Sequence, residues 1–375
     1  MTTGKALYNS GARWTTRWAV AAALAVVCAV SFAEQVSTER LEARRQFAEL
    51  KLGIFIHWGF YSTYAQGEWY LERAGLRGDE YKHAANASYP HDFNVEYEHA
   101  ANAFYPHDFN AMEWCRAFKD AGAKYVVFTS RHHDGFSMFG TKATDYNIVQ
   151  ATPFRRDVVK ELAEACRACG LRLGLYYSLV DWHRPDYPTG YTKRARAWVE
   201  QGKENYDSYL SFMKQQLSEL LTNYGDILCI WLDGEWDHWD VKARKTNIDW
   251  KYDEIYSLIH SLQPRCLVMN NHHHELRDGE DIYGVEREKK KDGTDKTITL
   301  DSVHPYELCD TMVNGAFGYN VTDTDWKTAD EVRALIKRTN DRGMNLLLNI
   351  APRADGRLPD QAMKILAELA AGTSI

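Results

Sequence analysis

The chain has no basic block: 45 Lys and Arg stand against 52 Asp and Glu, a net charge of −7. That balance argues against nucleic acid as a partner. No Gly-rich phosphate loop follows the first strand-like run, so the usual mark of a nucleotide-binding open sheet is missing. No His-x-His pair lies on that strand, where metal-dependent barrel hydrolases commonly carry one. Cysteine is scarce, seven in 375 residues, and Cys166-Arg-Ala-Cys169 has no second pair with which to build a metal or redox site. The apolar run Trp18–Phe32 is short for a membrane span.

That run is instead the core of a leader. Lys5, Arg13 and Arg17 precede it, and Ser31-Phe32-Ala33 close it with small residues at the −3 and −1 positions, the pattern of a secretory signal cleaved after Ala33. The expected organisation is therefore a signal peptide over residues 1–33 and one catalytic domain over 34–375, exported as a secreted or periplasmic protein with no membrane contact after cleavage. Hydrophobic residues make up 45% of the chain, enough for one barrel-sized core. Twelve Trp and 22 Tyr supply a heavy aromatic load, which suits a core and also a carbohydrate ligand.

Short apolar runs alternate with amphipathic stretches along the mature length, the pattern of a parallel α/β fold. Strands are expected at Leu52–Trp58, Tyr125–Ser130, Leu171–Ser178, Ile227–Leu232, Cys266–Asn270, Ile282–Val285, Tyr306–Met312 and Asn345–Ile350. Helices are expected at Asn110–Ala121, Arg156–Cys169, Tyr206–Asn223, Tyr252–Leu262, Thr328–Thr339 and Pro359–Ala371. Eight strands with interleaved helices make a (β/α)8 barrel. One internal repeat interrupts the pattern: Asp79–Asn94 and Val95–Asn110 are nearly identical. Two copies are too few for a solenoid, so residues 79–110 read as a tandem-duplicated loop, one copy leading to Trp114 and the other bulging out.

Polar residues gather at the strand tips: His57, with Glu68 and Trp69 in the loop beyond; His132 and His133; Tyr176, Tyr177 and Asp181; Asp233; Asn270, Asn271 and His272–His274; Glu286 and Glu288. Any one such Asp would serve as a turn or cap residue, but six successive polar tips converge on one pocket, at the face where parallel barrels keep their chemistry. Two carboxylates without a metal are what glycoside hydrolysis needs, one ionised and the other protonated. Asp233 and a glutamate on strand six lie about two strands apart on the rim, a spacing suited to a retaining pair.

Several segments occur in a familiar order. They are Gly53-Ile-Phe-Ile-His-Trp-Gly59, Glu68-Trp69-Tyr70, the run Tyr125–Phe136, Leu175-Tyr-Tyr-Ser178 with Asp181-Trp182, and Trp231-Leu-Asp-Gly234. Asn270-Asn-His-His273, Gly279-Glu-Asp281, Phe317-Gly-Tyr-Asn320 and Asn345–Pro352 follow. Together, over residues 40–370, they resemble the family 29 glycoside hydrolases, the α-L-fucosidases. The resemblance implies a retaining exo-α-L-fucosidase that takes terminal fucose from glycans or oligosaccharides with no cofactor and no metal. Asp233 matches the family nucleophile. His57, Trp69, His132, His133 and a tyrosine of the Tyr176-Tyr177 pair match fucose-holding positions, with Trp231 and Phe317 lining the pocket and Glu68 beside it.

For the acid/base, Glu286 matches the family's glutamate on strand six. Glu288 would face the same side if the strand continues. Glu307 matches a recurrent Trp-Glu with Tyr306 in place of Trp and reads as structural, though Glu307 or another carboxylate such as Glu68 stays open as the acid/base. The chain ends at Thr373-Ser-Ile375, where many family members continue into a β-sandwich, so the barrel is expected without that domain. A catalytically silent sugar-binding barrel and a metal-dependent hydrolase stay open as rivals, and so does a homo-oligomer.

Overall fold

A computed structural model describes Met1 and residues 36–70, 72–73, 101–187, 202–238, 249–287 and 300–372. Residues 2–33 of the expected leader, residues 79–100 of the repeat, Glu288 and Lys289–Lys291 lie outside them. One compact unit runs from Thr38 onward, and the fold is that of this unit.

Its eight strands are β1 (Leu52–Ile56), β2 (Tyr125–Arg131), β3 (Arg172–Ser178), β4 (Cys229–Asp233), β5 (Leu267–Asn270), β6 (Tyr283–Glu286), β7 (Tyr306–Thr311) and β8 (Met344–Ile350). They form one sheet in the order β5-β4-β3-β2-β1-β8-β7-β6, with every pairing parallel. A parallel bridge from Met269 to Ile282 links the two ends, so the sheet is a nearly closed barrel. All eight expected strands are present, displaced by at most two residues at either end. They were legible because both faces are covered: every residue of β1, β2, β5, β7 and β8 is buried. Such strands read as unbroken apolar runs.

Helices α2 (Ala111–Asp120), α3 (Val158–Cys169), α4 (Tyr206–Asn223), α5 (Tyr252–Leu262), α6 (Ala329–Asp341) and α7 (Asp360–Gly372) match the six expected. They follow an unexpected first helix, α1 (Thr38–Ala48). Side chains end the helices where the sequence suggests. Asn110, Asp157, Asn205 and Thr328 accept N-cap hydrogen bonds from the first turns of α2, α3, α4 and α6, and left-handed Gly170 closes α3. Each such cap contributes about 1 kcal/mol.

Side chains alternate along each strand, and this divides the core in two. Ile54, Ile56, Val126, Phe128, Ile230 and Leu232 face the helices. Phe55, Tyr125, Val127, Tyr176, Trp231, Met269 and Leu347 fill the barrel. Gly53 makes room inside, since a Cβ there would sit 2.3 Å from the Tyr125 ring. Helix α1 packs Ala43 and Phe47 into the inner cluster. Its Arg44 donates to Asp281 Oδ1 at 2.7 Å and Asn345 Nδ2 donates to the Phe47 carbonyl at 2.6 Å, so α1 plugs the N-terminal end of the barrel. The other end is left for the site. From the second copy of the repeat, Phe104 and Phe109 pack on Trp58, with ring centroids 5.5 and 5.2 Å away.

Candidate active site

The open end of the barrel holds a pocket of about 140 Å³. At the ~10–15 Å³ a water needs, that is room for one sugar ring rather than a chain. Asp233, the last residue of β4, enters it on the inward side shared with Cys229 and Trp231. The next residue has to be glycine: Gly234 has φ +110°, and a Cβ there would lie 2.5 Å from Val180 Cγ2. Its N–H donates to Asp233 Oδ1 at 2.8 Å, and the Tyr176 hydroxyl donates to Oδ2 at 2.8 Å.

Glu286, the last residue of β6, reaches the same pocket. Asn271 Nδ2 donates to both acids, to Asp233 Oδ1 at 3.3 Å and to Glu286 Oε2 at 3.2 Å. Burial first, and the nearby Glu286 carboxylate second, push Asp233 up to about 7 against the pull of its three donors. Arg287, the residue after β6, is left-handed, φ +57°, and Glu288 lies outside the described residues.

Three histidines also line the pocket. His57 follows β1, and its Nδ1 lies 2.7 Å from Asn349 Oδ1. His132 and His133 follow directly on β2, which ends at Arg131. The turn after it brings both rings to the pocket, their centroids 4.2 Å apart. His133 Nδ1 lies 2.7 Å from Ser178 Oγ and its Nε2 3.5 Å from Asp233 Oδ2. Burial is the main reason that all three titrate below the ordinary imidazole range, His57 and His133 at about 3. The histidines are therefore neutral near pH 7, each with one acceptor and one donor nitrogen.

Aromatic rings complete the cup. Trp69 lies 5.2 Å from Trp236 and 5.5 Å from His133, centroid to centroid, and Phe317 lies 4.9 Å from His57. Glu68 stands at the edge with Oε2 accepting from the Gly318 N–H at 2.6 Å, and burial raises it above the usual carboxylate range. Trp231 forms part of the floor and donates through Nε1 to Glu307 Oε1 at 3.0 Å.

Not every candidate reaches the pocket. Tyr177 is the correction among the expected site residues. Consecutive strand residues point to opposite faces, so with Tyr176 inward, Tyr177 lies in the helix-facing layer and donates to Gln216 Oε1 at 2.8 Å. Glu307 sits beneath the pocket, receiving Trp231 and, at 2.5 Å, the Tyr125 hydroxyl, with burial raising it to about 7. Glu235 is engaged by Arg277 at 2.7 and 2.8 Å, and His272 by Glu280 at 2.8 Å.

Conversely, Trp236, Phe55 and Cys309 line the pocket unexpectedly, and Asn271 lines it from one of the polar tips, though no role at the site is expected of it from the sequence. Asn271 stood at a tip recognised as polar, but an amide after a strand is equally a turn residue. Trp236 was visible in the same motif as Asp233. Among the described residues no group of three or more His, Cys, Asp or Glu is placed to hold a metal ion. None of their helices is long and apolar enough to cross a membrane.

Comparison with known proteins accounts for this arrangement. The sequence is 30% identical to human tissue alpha-L-fucosidase over 324 residues, 83% of this chain and 63% of that protein. It is 28% identical to the alpha-L-fucosidase of Dictyostelium discoideum over 349 residues, 88% of this chain and 69% of that one. The chain thus spans about two thirds of the length of these relatives. The structure of the Lactobacillus casei alpha-L-fucosidase AlfC in complex with alpha-L-fucose product superposes with a TM-score of 0.71 at 29% identity, covering 88% of this chain and 97% of that one. The Alpha-L-fucosidase family model matches residues 25–373, nearly the whole sequence, and the chain belongs to the α-L-fucosidase family of glycoside hydrolases.

Proposed function

We propose that the protein is a retaining exo-α-L-fucosidase, with Asp233 as nucleophile and Glu286 as acid/base. The observation that carries this reading is the shared nitrogen of Asn271. With one donor 3.3 Å from Asp233 Oδ1 and 3.2 Å from Glu286 Oε2, those two oxygens can be no farther apart than the lower end of the ~6.5–9.5 Å that inverting enzymes need to admit a water. A carboxylate attacking the sugar directly fits that spacing better.

In the first step an Asp233 oxygen attacks the anomeric carbon while Glu286 gives its proton to the departing glycosidic oxygen. In the second, Glu286 takes a proton from a water that attacks the same carbon and frees Asp233. The three donors on Asp233, from Tyr176, Gly234 and Asn271, favour leaving the negative charge there when positive charge develops on the sugar. The neutral histidines suit sugar hydroxyls, and the aromatic rings suit the C5 methyl that distinguishes fucose from galactose. The one-ring pocket supports exo attack on a terminal residue of a fucosylated glycan. The sequence pattern of the leader supports export with cleavage after Ala33, which N-terminal sequencing of the secreted protein tests.

Trapping with a 2-fluoro-fucoside that carries a good leaving group tests the assignment. The label should reside on the peptide containing Asp233, and a label elsewhere would sink it. Asp233→Ala should lose several orders of magnitude in kcat, with azide restoring part of the turnover as a glycosyl azide. Near-normal turnover in that variant would also overturn the reading.

A further inference from the structure

The chain itself decides which ring nitrogen of His57 carries the proton. Asn349 lies on β8 in register with Phe55 of β1, which brings its side chain beside His57. Its Nδ2 donates to the Phe317 carbonyl at 2.8 Å. A carbonyl can only accept, so the amide is oriented without ambiguity, and its Oδ1 is the atom 2.7 Å from His57 Nδ1. That oxygen can also only accept. Nδ1 must therefore hold a hydrogen, because the other neutral tautomer would set two lone pairs against each other at that distance. The ring does not gain a second proton. Burial foremost, and the Arg287 cation in addition, outweigh the Asn349 hydrogen bond.

We propose that Asn349 is a positioning residue that holds His57 as the neutral Nδ1–H tautomer, so that its bare Nε2, on the pocket wall, accepts a hydrogen bond from a hydroxyl of the bound sugar. The proposal rests on the glycosidase reading above for the identity of the ligand, and on the geometry alone for the tautomer. Nε2 has no partner among the described residues. At this point the pocket selects for a substituent that donates: a hydroxyl satisfies the nitrogen, whereas fluorine or a methoxy oxygen faces it lone pair to lone pair. The same amide ties down the backbone of Phe317, whose ring packs 4.9 Å from His57. One side chain thus sets both the polarity of the acceptor and the position of the adjacent apolar wall.

The test is a long-range ¹H–¹⁵N correlation spectrum of full-length protein labelled on histidine, with the His57 signals identified by their loss in His57→Gln. The expected spectrum has a pyrrole-like Nδ1 and a pyridine-like Nε2 across the neutral range. Asn349→Leu should mix the two tautomers and raise KM for an aryl α-L-fucoside about tenfold to a hundredfold, the worth of a buried hydrogen bond left unmade, with a smaller change in kcat. Asn349→Asp, which keeps an accepting oxygen but loses the donor to Phe317 and adds a charge, should keep the proton on His57 Nδ1. A proton on Nε2 in the wild-type protein, or unchanged His57 signals in Asn349→Leu, would overturn the proposal. If the Leu variant does not fold, the wild-type and Asp spectra still decide it. The expected spectrum in a protein that turns over no α-L-fucoside would instead remove the glycosidase reading and leave the tautomer standing.

Discussion

Changing Tyr176 to Phe removes a single hydroxyl, the one that donates to Asp233 Oδ2 at 2.8 Å. Burial and the Glu286 charge hold Asp233 at about 7, and the Tyr176 hydroxyl is among the groups that keep it from rising further. A hydrogen bond to a charged group contributes ~1.5–3 kcal/mol. At ~1.36 kcal/mol per pKa unit, its loss should raise Asp233 by roughly one to two units. As nucleophile, Asp233 acts ionised, so activity is lost as pH falls through its pKa. The profile of kcat/KM against pH reports the free enzyme. The value of about 7 is for Asp233 facing a charged Glu286, whereas the working state keeps the proton on Glu286, so the acidic limb should lie below 7 in the wild-type protein and move to higher pH in Tyr176→Phe. Glu286→Gln, which resembles the protonated acid, should leave that limb near its wild-type place, and an aryl fucoside with a good leaving group keeps the variant measurable. A limb that stays in place in Tyr176→Phe, or moves to lower pH, refutes the account of what perturbs Asp233.

The neighbouring Tyr177→Phe should behave quite differently. It leaves Gln216 Oε1 without its donor, costing ~1–3 kcal/mol and a few degrees of unfolding midpoint, while kcat/KM stays near the wild-type value; a large kinetic loss would return Tyr177 to the site. Glu286→Ala should spare aryl fucosides with good leaving groups and suppress turnover of a fucosylated disaccharide, since acid assistance matters most for poor leaving groups. Equal losses on both would move the acid role elsewhere. In the folded protein a thiol reagent should label Cys169 ahead of Cys115. The latter is buried, with its sulfur 3.6 Å from that of Cys166, and hydrogen bonding to that thiol together with burial raises it far above the ordinary thiol range. Peptide mapping that finds Cys115 modified as fast as Cys169 would contradict that packing.

The strands were legible because burial on both faces writes itself as continuous apolar sequence. Helix α1 was not, because its buried face carries Arg40 and Arg44 beside Ala43 and Phe47. Arginines at helical spacing read as a solvated surface until the acid that receives them is known, and that acid, Asp281, is far away in sequence. In the pocket, the convergence of polar strand tips pointed to Asp233 and a glutamate on strand six, and the family resemblance singled out Glu286 among the glutamates. Tyr176 and Tyr177 could have been separated by alternation once one of them was fixed. Asn271 shows a different limit: a side chain that joins two acids is recognisable only after both acids have been placed.

The salt bridges of α1 also impose an order in time. Arg44 and Asp281 are separated by 237 positions, and Asp281 is completely buried, its second oxygen accepting from the Val268 N–H at 2.9 Å. A polypeptide emerges N-terminus first, so α1 is made long before the residue that neutralises it. Until Asp281 arrives, the two arginines have no reason to leave water, because burying one unpaired costs ~3–5 kcal/mol. The plug is therefore among the earliest segments synthesised and among the last to dock. The barrel should close its base late, in a step that joins both ends of the sheet at once.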